Sequence, residues 1–198
     1  MGYSLSWAAL KGGNLQTICS VFDLRSTGKR EEIAESNIDG AQLPWGWYLV
    51  MFDHNVIEER LLKELSRTGE VVYCFVEDHV MFSSASGWNS GKQIWQVTHD
   101  GGEKGILHLE TSGNLPAVFE SIRKRLFAEQ ETADSQKVKV DYVYEAPPEL
   151  AKELTGFRHD EEVAGMSSEA YEILEFAKGA HHITGPLFGF LFGKKDRA

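Results

Sequence analysis

Apolar residues run together or alternate with polar ones over short stretches, which predicts several strands. Residues 3–10 alternate, which is typical of a half-buried strand. The segments 45–52 and 71–78 are almost continuously apolar and too short for an ordinary helix. We therefore expect two central strands that are covered on both faces. Further strands, the first three of them separated by turn residues as in an antiparallel meander, are predicted at 80–84, 93–98, 106–110 and 138–144.

Other segments repeat apolar residues three and four positions apart, as one face of a helix does. Asn14 is expected to cap a helix that ends near Asp23, and Asn55 to begin another that ends at Gly69. The segment 25–44 is polar, and we interpret it as a long loop that is either functional or contains a short element. Three more helices are predicted at 116–130, from Pro147-Pro148 to Gly156, and at 167–178.

The order of these elements predicts an α+β fold. Helices alternate with strands at first and a strand meander follows, so we expect a mixed, largely antiparallel sheet with helices packed on it and a C-terminal helical segment. The 198 residues suit one domain, 1–198, in which 147–198 could form a helical subdomain or extension. Cys19 and Cys74 lie in apolar surroundings, which predicts two buried free thiols.

The charge of the chain narrows the function classes. A formal net charge of −10 argues against a general binder of DNA or RNA backbones, because phosphates require a positive surface. The acids are concentrated: residues 31–60 contain seven acids and one base, and residues 141–178 contain ten acids and three bases. No apolar stretch reaches the roughly 18 residues of a membrane helix, and the first residues lack a signal-peptide pattern. We therefore expect a cytoplasmic protein.

Acids and histidines are densest at the ends of two predicted strands, where they could act as a metal site or as general acids and bases. In a meander these strand ends could share one rim of the sheet. The alternative is that acids and histidines simply end strands where they meet water. The candidate catalytic residues are Glu77, Asp78, His79, His99 and Asp100, with His108 on the next predicted strand.

Two further features indicate contact residues. Trp88 lies in a turn-like stretch of Gly, Ser and Asn, and a tryptophan at the tip of a turn is more often a contact residue than a core residue. Arg158, His159 and Asp160 form a polar cluster after a helix end, for which a solvated loop is the alternative. The sequence contains no phosphate-binding loop, no dinucleotide motif, no nucleophile elbow and no zinc-ligand motif, so we expect no cofactor and no metal.

Several stretches together resemble an uncharacterised family of small bacterial cytosolic proteins. The resemblance covers most of the chain without a diagnostic motif, and no activity is assigned to such proteins. It implies only a bacterial, cytoplasmic protein and carries over no site. The stretches are Pro44-Trp45-Gly46-Trp47-Tyr48-Leu49, Glu77-Asp78-His79-Val80-Met81, Trp95-Gln96-Val97-Thr98-His99-Asp100 and Leu154-Thr155-Gly156-Phe157-Arg158-His159-Asp160.

The leading hypothesis is a non-enzymatic module that docks a basic protein partner through an acidic surface, with no nucleic-acid or membrane partner. An immunity protein that neutralises a basic toxin domain would be one instance. The alternative is a metal-dependent hydrolase or acid–base enzyme that uses the Glu/Asp/His cluster. A third hypothesis is a homo-oligomer that assembles through the apolar tail 183–192.

Overall fold

The computed structural model describes residues 2–177 and the short segment 184–186. Its centre is a nine-stranded sheet in the order β2-β10-β3-β4-β1-β6-β7-β8-β9, and all of its pairings are antiparallel. A separate short pair joins β11 to β5. The strands are β1 Ser4–Lys11, β2 Leu24–Glu31, β3 Ile38–Gln42, β4 Trp47–Asp53, β5 Asn55–Ile57, β6 Val71–Glu77, β7 Phe82–Asn89, β8 Lys92–Asp100, β9 Glu110–Gly113, β10 Tyr171–Phe176 and β11 Thr184–Pro186.

Helices cover both faces of the large sheet, and each face has its own core. On one face α4 and α5 pack with the loop residue Phe157, and on the other α1 packs beside α2. The predicted α+β fold, with its strand meander and packed helices, is confirmed. The helices are α1 Leu15–Phe22, α2 Glu59–Leu65, α3 Gly101–Lys104, α4 Phe119–Ser135 and α5 Ala146–Thr155, with single 3₁₀ turns at Asp78–Val80 and Val143–Glu145.

Locally encoded elements form where the sequence predicts them. Asn14 caps α1 by accepting a hydrogen bond from Thr17 N at 3.0 Å, and Asp23 ends the helix in a left-handed conformation. Gly156 ends α5 in the same conformation, with φ of 76°. The central strands β4 and β6 are buried almost throughout, because alternate side chains enter the two cores.

Three predictions in polar or C-terminal segments are corrected by the structure. The segment 25–44, expected as a long loop that is functional or contains a short element, contains most of β2 and all of β3. The expected helix 167–178 is wrong, because this segment contains β10, which lies between β2 and β3. A bulge between Glu172 and Leu174 shifts the register of β10, so its apolar residues lose the alternation that indicates a strand. The expected strand 138–144 is irregular chain followed by a 3₁₀ turn. The strands β2, β3 and β10 are stabilised by partners that are distant in the sequence, which local patterns do not reveal.

Smaller corrections concern element boundaries. Asn55 begins β5 rather than a helix, and α2 begins at Glu59 without a side-chain cap. The hairpin between β7 and β8 turns at Ser90 and Gly91 alone, both with positive φ, which is the two-residue turn that suits twisted strands. The predicted strand 106–110 is displaced, since β9 begins only at Glu110.

Both cysteines are free thiols, as predicted, and Cys74 is buried, but Cys19 is only partly buried. Within residues 2–177 and 184–186, no helix has the length and apolar character needed to cross a membrane. The apolar tail 183–192 lies outside the described residues apart from the backbone of 184–186, so oligomerisation through it stays a prediction.

Candidate functional site

The two predicted acid–histidine clusters lie along the same rim of the sheet, but each of them is divided between the two faces. Glu77 pairs with Phe82, which pairs in turn with Asp100, so these residues form one row across β6, β7 and β8. His99 belongs to the neighbouring row, with Val76 and Ser83. Because adjacent positions of a strand face opposite sides, Glu77 and His99 are separated by the sheet itself.

On the face of α1 and α2, Glu77 forms a strand-end pair with His79. Glu77 is 8% exposed, and its Oε2 accepts a hydrogen bond from Ser4 Oγ at 2.6 Å. Its Oε1 lies 2.7 Å from Nδ1 of His79, whose side chain is 66% exposed. The pair joins the ends of β1 and β6, and most of the imidazole is exposed to solvent.

On the face of α4 and α5, His99 is fully buried and both of its ring nitrogens are engaged. Nδ1 lies 2.7 Å from the carbonyl oxygen of His108, and Nε2 lies 3.0 Å from Oδ2 of Asp141. A carbonyl oxygen only accepts, so Nδ1 is the donor, and a second proton lies between Nε2 and the carboxyl group of Asp141. His99 therefore has no nitrogen left for a substrate or a metal ion.

Asp141 and Tyr144 are buried polar residues that the sequence did not single out. Tyr144 N donates to Asp141 Oδ1 at 3.1 Å, and the Tyr144 hydroxyl donates to Asp78. The Tyr144 ring packs edge-on against His99, and its carbonyl accepts from Ser83 Oγ at 2.7 Å. Burial and the hydrogen bond to Asp78 raise the pKa of Tyr144, so its hydroxyl remains a donor. We call Asp78, Ser83, His99, Asp141 and Tyr144 the Tyr144 cluster.

Asp100 and His108 shape the loop beside this cluster. Asp100 Oδ1 accepts from Glu103 N at 3.1 Å and caps α3, while Asp100 N donates to Nδ1 of His108 at 2.9 Å. Burial, followed by Lys104, lowers the pKa of His108, which favours the neutral imidazole. A Cβ at Gly101 would lie 2.5 Å from Asp141 Oδ2, so only glycine fits this position without displacement.

The predicted cluster 158–160 meets the N-terminal strand. Arg158 pairs with Glu145 at 2.5 Å and with Asp160 at 2.6 Å, and its side chain is only 14% exposed. The His159 ring packs edge-on against Tyr3, whose backbone N–H donates to Asp78. Burial lowers the pKa of His159. The His159 contact holds the chain after α5 beside the residue that precedes β1, and the pair between Arg158 and Glu145 ties it to the start of α5.

The turn predicted at Trp88 is wrong. Trp88 lies in β7, is 5% exposed, and donates from its indole nitrogen to Ser86 Oγ at 2.8 Å. Its side chain therefore packs in the core and has almost no surface for a partner. The exposed tryptophan is Trp45, at 56%, in the turn before β4, where its ring lies against Gly156. The apolar surroundings of Trp45 had indicated a strand residue.

Most acids of the segment 141–178 have basic partners within the protein. These acids therefore take part in ion pairs within the protein and do not form a free negative surface. The pairs are Glu145 and Asp160 with Arg158, Glu149 with Arg125, Glu161 with Lys152, Glu172 with Arg30, and Glu175 with Arg25.

The β2–β3 loop, residues 32–37, is different. Glu32 and Glu35 are exposed on either side of Ile33, which is 65% exposed, and no ion pair of the described residues involves either acid. Glu31 holds the loop from its base, since Oε1 accepts from Glu35 N at 2.7 Å and from Ser36 N at 3.0 Å.

Among the residues that the structure describes, no three or more His, Cys, Asp or Glu side chains are grouped in a way that could hold a metal ion. The chain matches no protein-family model, no curated protein and no solved structure. The resemblance to a bacterial cytosolic family therefore stays an expectation from the sequence.

Proposed function

We propose that the protein is a non-enzymatic binding module that docks a basic protein partner through the β2–β3 loop. The observation that carries this proposal is the exposed pair Glu32 and Glu35 around the exposed Ile33, without a basic partner in the described residues. An immunity protein that neutralises a basic toxin domain in the cytoplasm would be one instance of such a module.

The loop combines the two features that favour association. Exposed carboxylates speed the encounter with a positive surface and orient it, although salt weakens this attraction. The exposed isoleucine offers an apolar side chain, and its burial against a partner would favour binding. The bonds from Glu31 to the backbone of Glu35 and Ser36 hold the loop in one conformation, which lowers the entropy lost on binding.

The arrangement of the acids and histidines supports this function over the metal-dependent or acid–base enzyme. Glu77 and His99 are on opposite faces of the sheet, and both nitrogens of His99 are occupied by buried partners. A general base or metal ligand needs a free nitrogen or oxygen within reach of its substrate. Only His79 of this set has substantial solvent exposure on its imidazole.

Affinity capture from a lysate of the source cells tests the proposal when loop variants are compared. Immobilised wild-type protein should retain a basic protein at low salt and release it at high salt. The double variant Glu32→Lys, Glu35→Lys should lose that protein. The control Glu153→Lys, Glu162→Lys has the same change in charge at other exposed acids and should retain it. Equal retention by both double variants, or no retained protein, would contradict docking through this loop.

A further inference from the structure

Asp39 is a fully buried carboxyl group in β3 at the edge where β10 enters the sheet. Its exposed fraction is 0%, and neither carboxyl oxygen accepts a hydrogen bond of normal geometry from the described residues. Asp39 pairs in register with Met51 of β4 on one side and with Ile173 of β10 on the other. An ionised carboxylate without donors is costly at such a position, so a proton must compensate it.

Among the described residues, the titratable groups that face Asp39 strengthen this argument because they are acids and a tyrosine. Glu31 faces it from β2, Asp53 from β4 and Tyr171 from β10, while the backbone N–H of Ser36 favours ionisation only in part. The neighbouring base Arg30 is directed to Glu172 and to the carbonyls of residues 169 and 170. Burial, followed by the charge of Glu31, raises the pKa of Asp39 to about 8.

We propose that Asp39 and Glu31 share one proton, and that this proton holds β10 between β2 and β3. Protonated Asp39 is an O–H donor, and the carboxylate of Glu31 is its acceptor. The proton thus joins β2 to β3 across the strand that separates them. β10 pairs with β2 at five positions but with β3 only at Glu172 and Ile173, so its attachment to β3 is the weaker one and the one that this proton supports.

The direction of the pH effect follows from the proton balance. When β10 detaches, Asp39 meets water and its pKa returns towards the ordinary value of 3.8. Between that value and about 8, the closed form binds one proton more than the open form. Rising pH therefore favours opening, by up to tenfold per pH unit, and the effect levels off above the pKa of the closed form.

Amide hydrogen exchange of the full chain, corrected for the intrinsic pH dependence, tests this proposal. Between about pH 5.5 and pH 8, the protection factors of the β10 amides in wild-type protein should fall by nearly tenfold for each pH unit. Above that range they should level off. Asp39→Asn should remove this slope, because the amide does not titrate in that range. The control Glu175→Gln changes an acid of β10 itself that pairs with Arg25 at the surface, and it should keep the wild-type slope.

A measurement on unmodified protein covers the case in which Asp39→Asn does not fold. The carboxyl carbon of Asp39, followed by NMR, should titrate near pH 8. A carboxyl group already ionised at neutral pH would overturn the proposal. The proposal would also be overturned if the protection of β10 in wild-type protein did not fall with pH. It would be overturned too if Asp39→Asn showed the same fall as wild type. None of these measurements requires the docking partner.

Discussion

Replacing Asp141 with alanine tests whether the Tyr144 cluster fastens the irregular segment before α5 to the sheet. The substitution removes the acceptor of two buried donors, His99 Nε2 and Tyr144 N. Each buried donor left unsatisfied costs about 1–3 kcal/mol. The substitution leaves two such groups, so we expect a loss of about 2–6 kcal/mol in the free energy of unfolding.

Urea unfolding followed by circular dichroism measures this loss. Asp141→Asn should cost less than alanine, because its carbonyl can still accept from Tyr144 N and its amide can donate to a neutral His99. The control Glu153→Ala changes an exposed acid of α5 and should stay within about 0.5 kcal/mol of wild type.

A double-mutant cycle with His99→Gln separates the pair from its surroundings. A coupling free energy of about 1–3 kcal/mol between Asp141 and His99 is expected, because the two side chains are in direct contact. A cost below about 1 kcal/mol for Asp141→Ala, or no coupling in the cycle, would refute the view that this pair stabilises the fold.

Three further predictions follow from burial and close contacts. Trp88→Ala should lower the free energy of unfolding by about 3–5 kcal/mol in denaturant titrations, whereas Trp45→Ala should cost less than about 1 kcal/mol. Gly101→Ala should cost about 1–3 kcal/mol in the same assay, because its methyl group would displace the Asp141 carboxylate. Burial raises the pKa of both cysteine thiols. Iodoacetamide labelling followed by mass spectrometry should therefore modify the partly exposed Cys19 first, and the buried Cys74 only as the protein unfolds.

The sequence by itself determined the elements whose stability is local. The cap at Asn14, the helix end at Gly156 and the apolar segments of β4 and β6 each carry their own signal within a few residues. A helix cap and a strand that is buried on both faces can be recognised from the local sequence, without knowing the distant partners. These elements and the α+β class could therefore be predicted. The shared rim of Glu77 and Asp100 also followed from the strand order.

Only the tertiary structure decided the polar strands and the organisation of the candidate site. β10 joins β2 and β3 although more than 120 residues separate it from either strand in the sequence, and no local pattern encodes such a pairing. One position along a strand decides which face a side chain enters, and this separated Glu77 from His99. Asp141 reaches His99 across 42 residues through an irregular segment, so the partner that occupies the histidine became visible only in the folded chain.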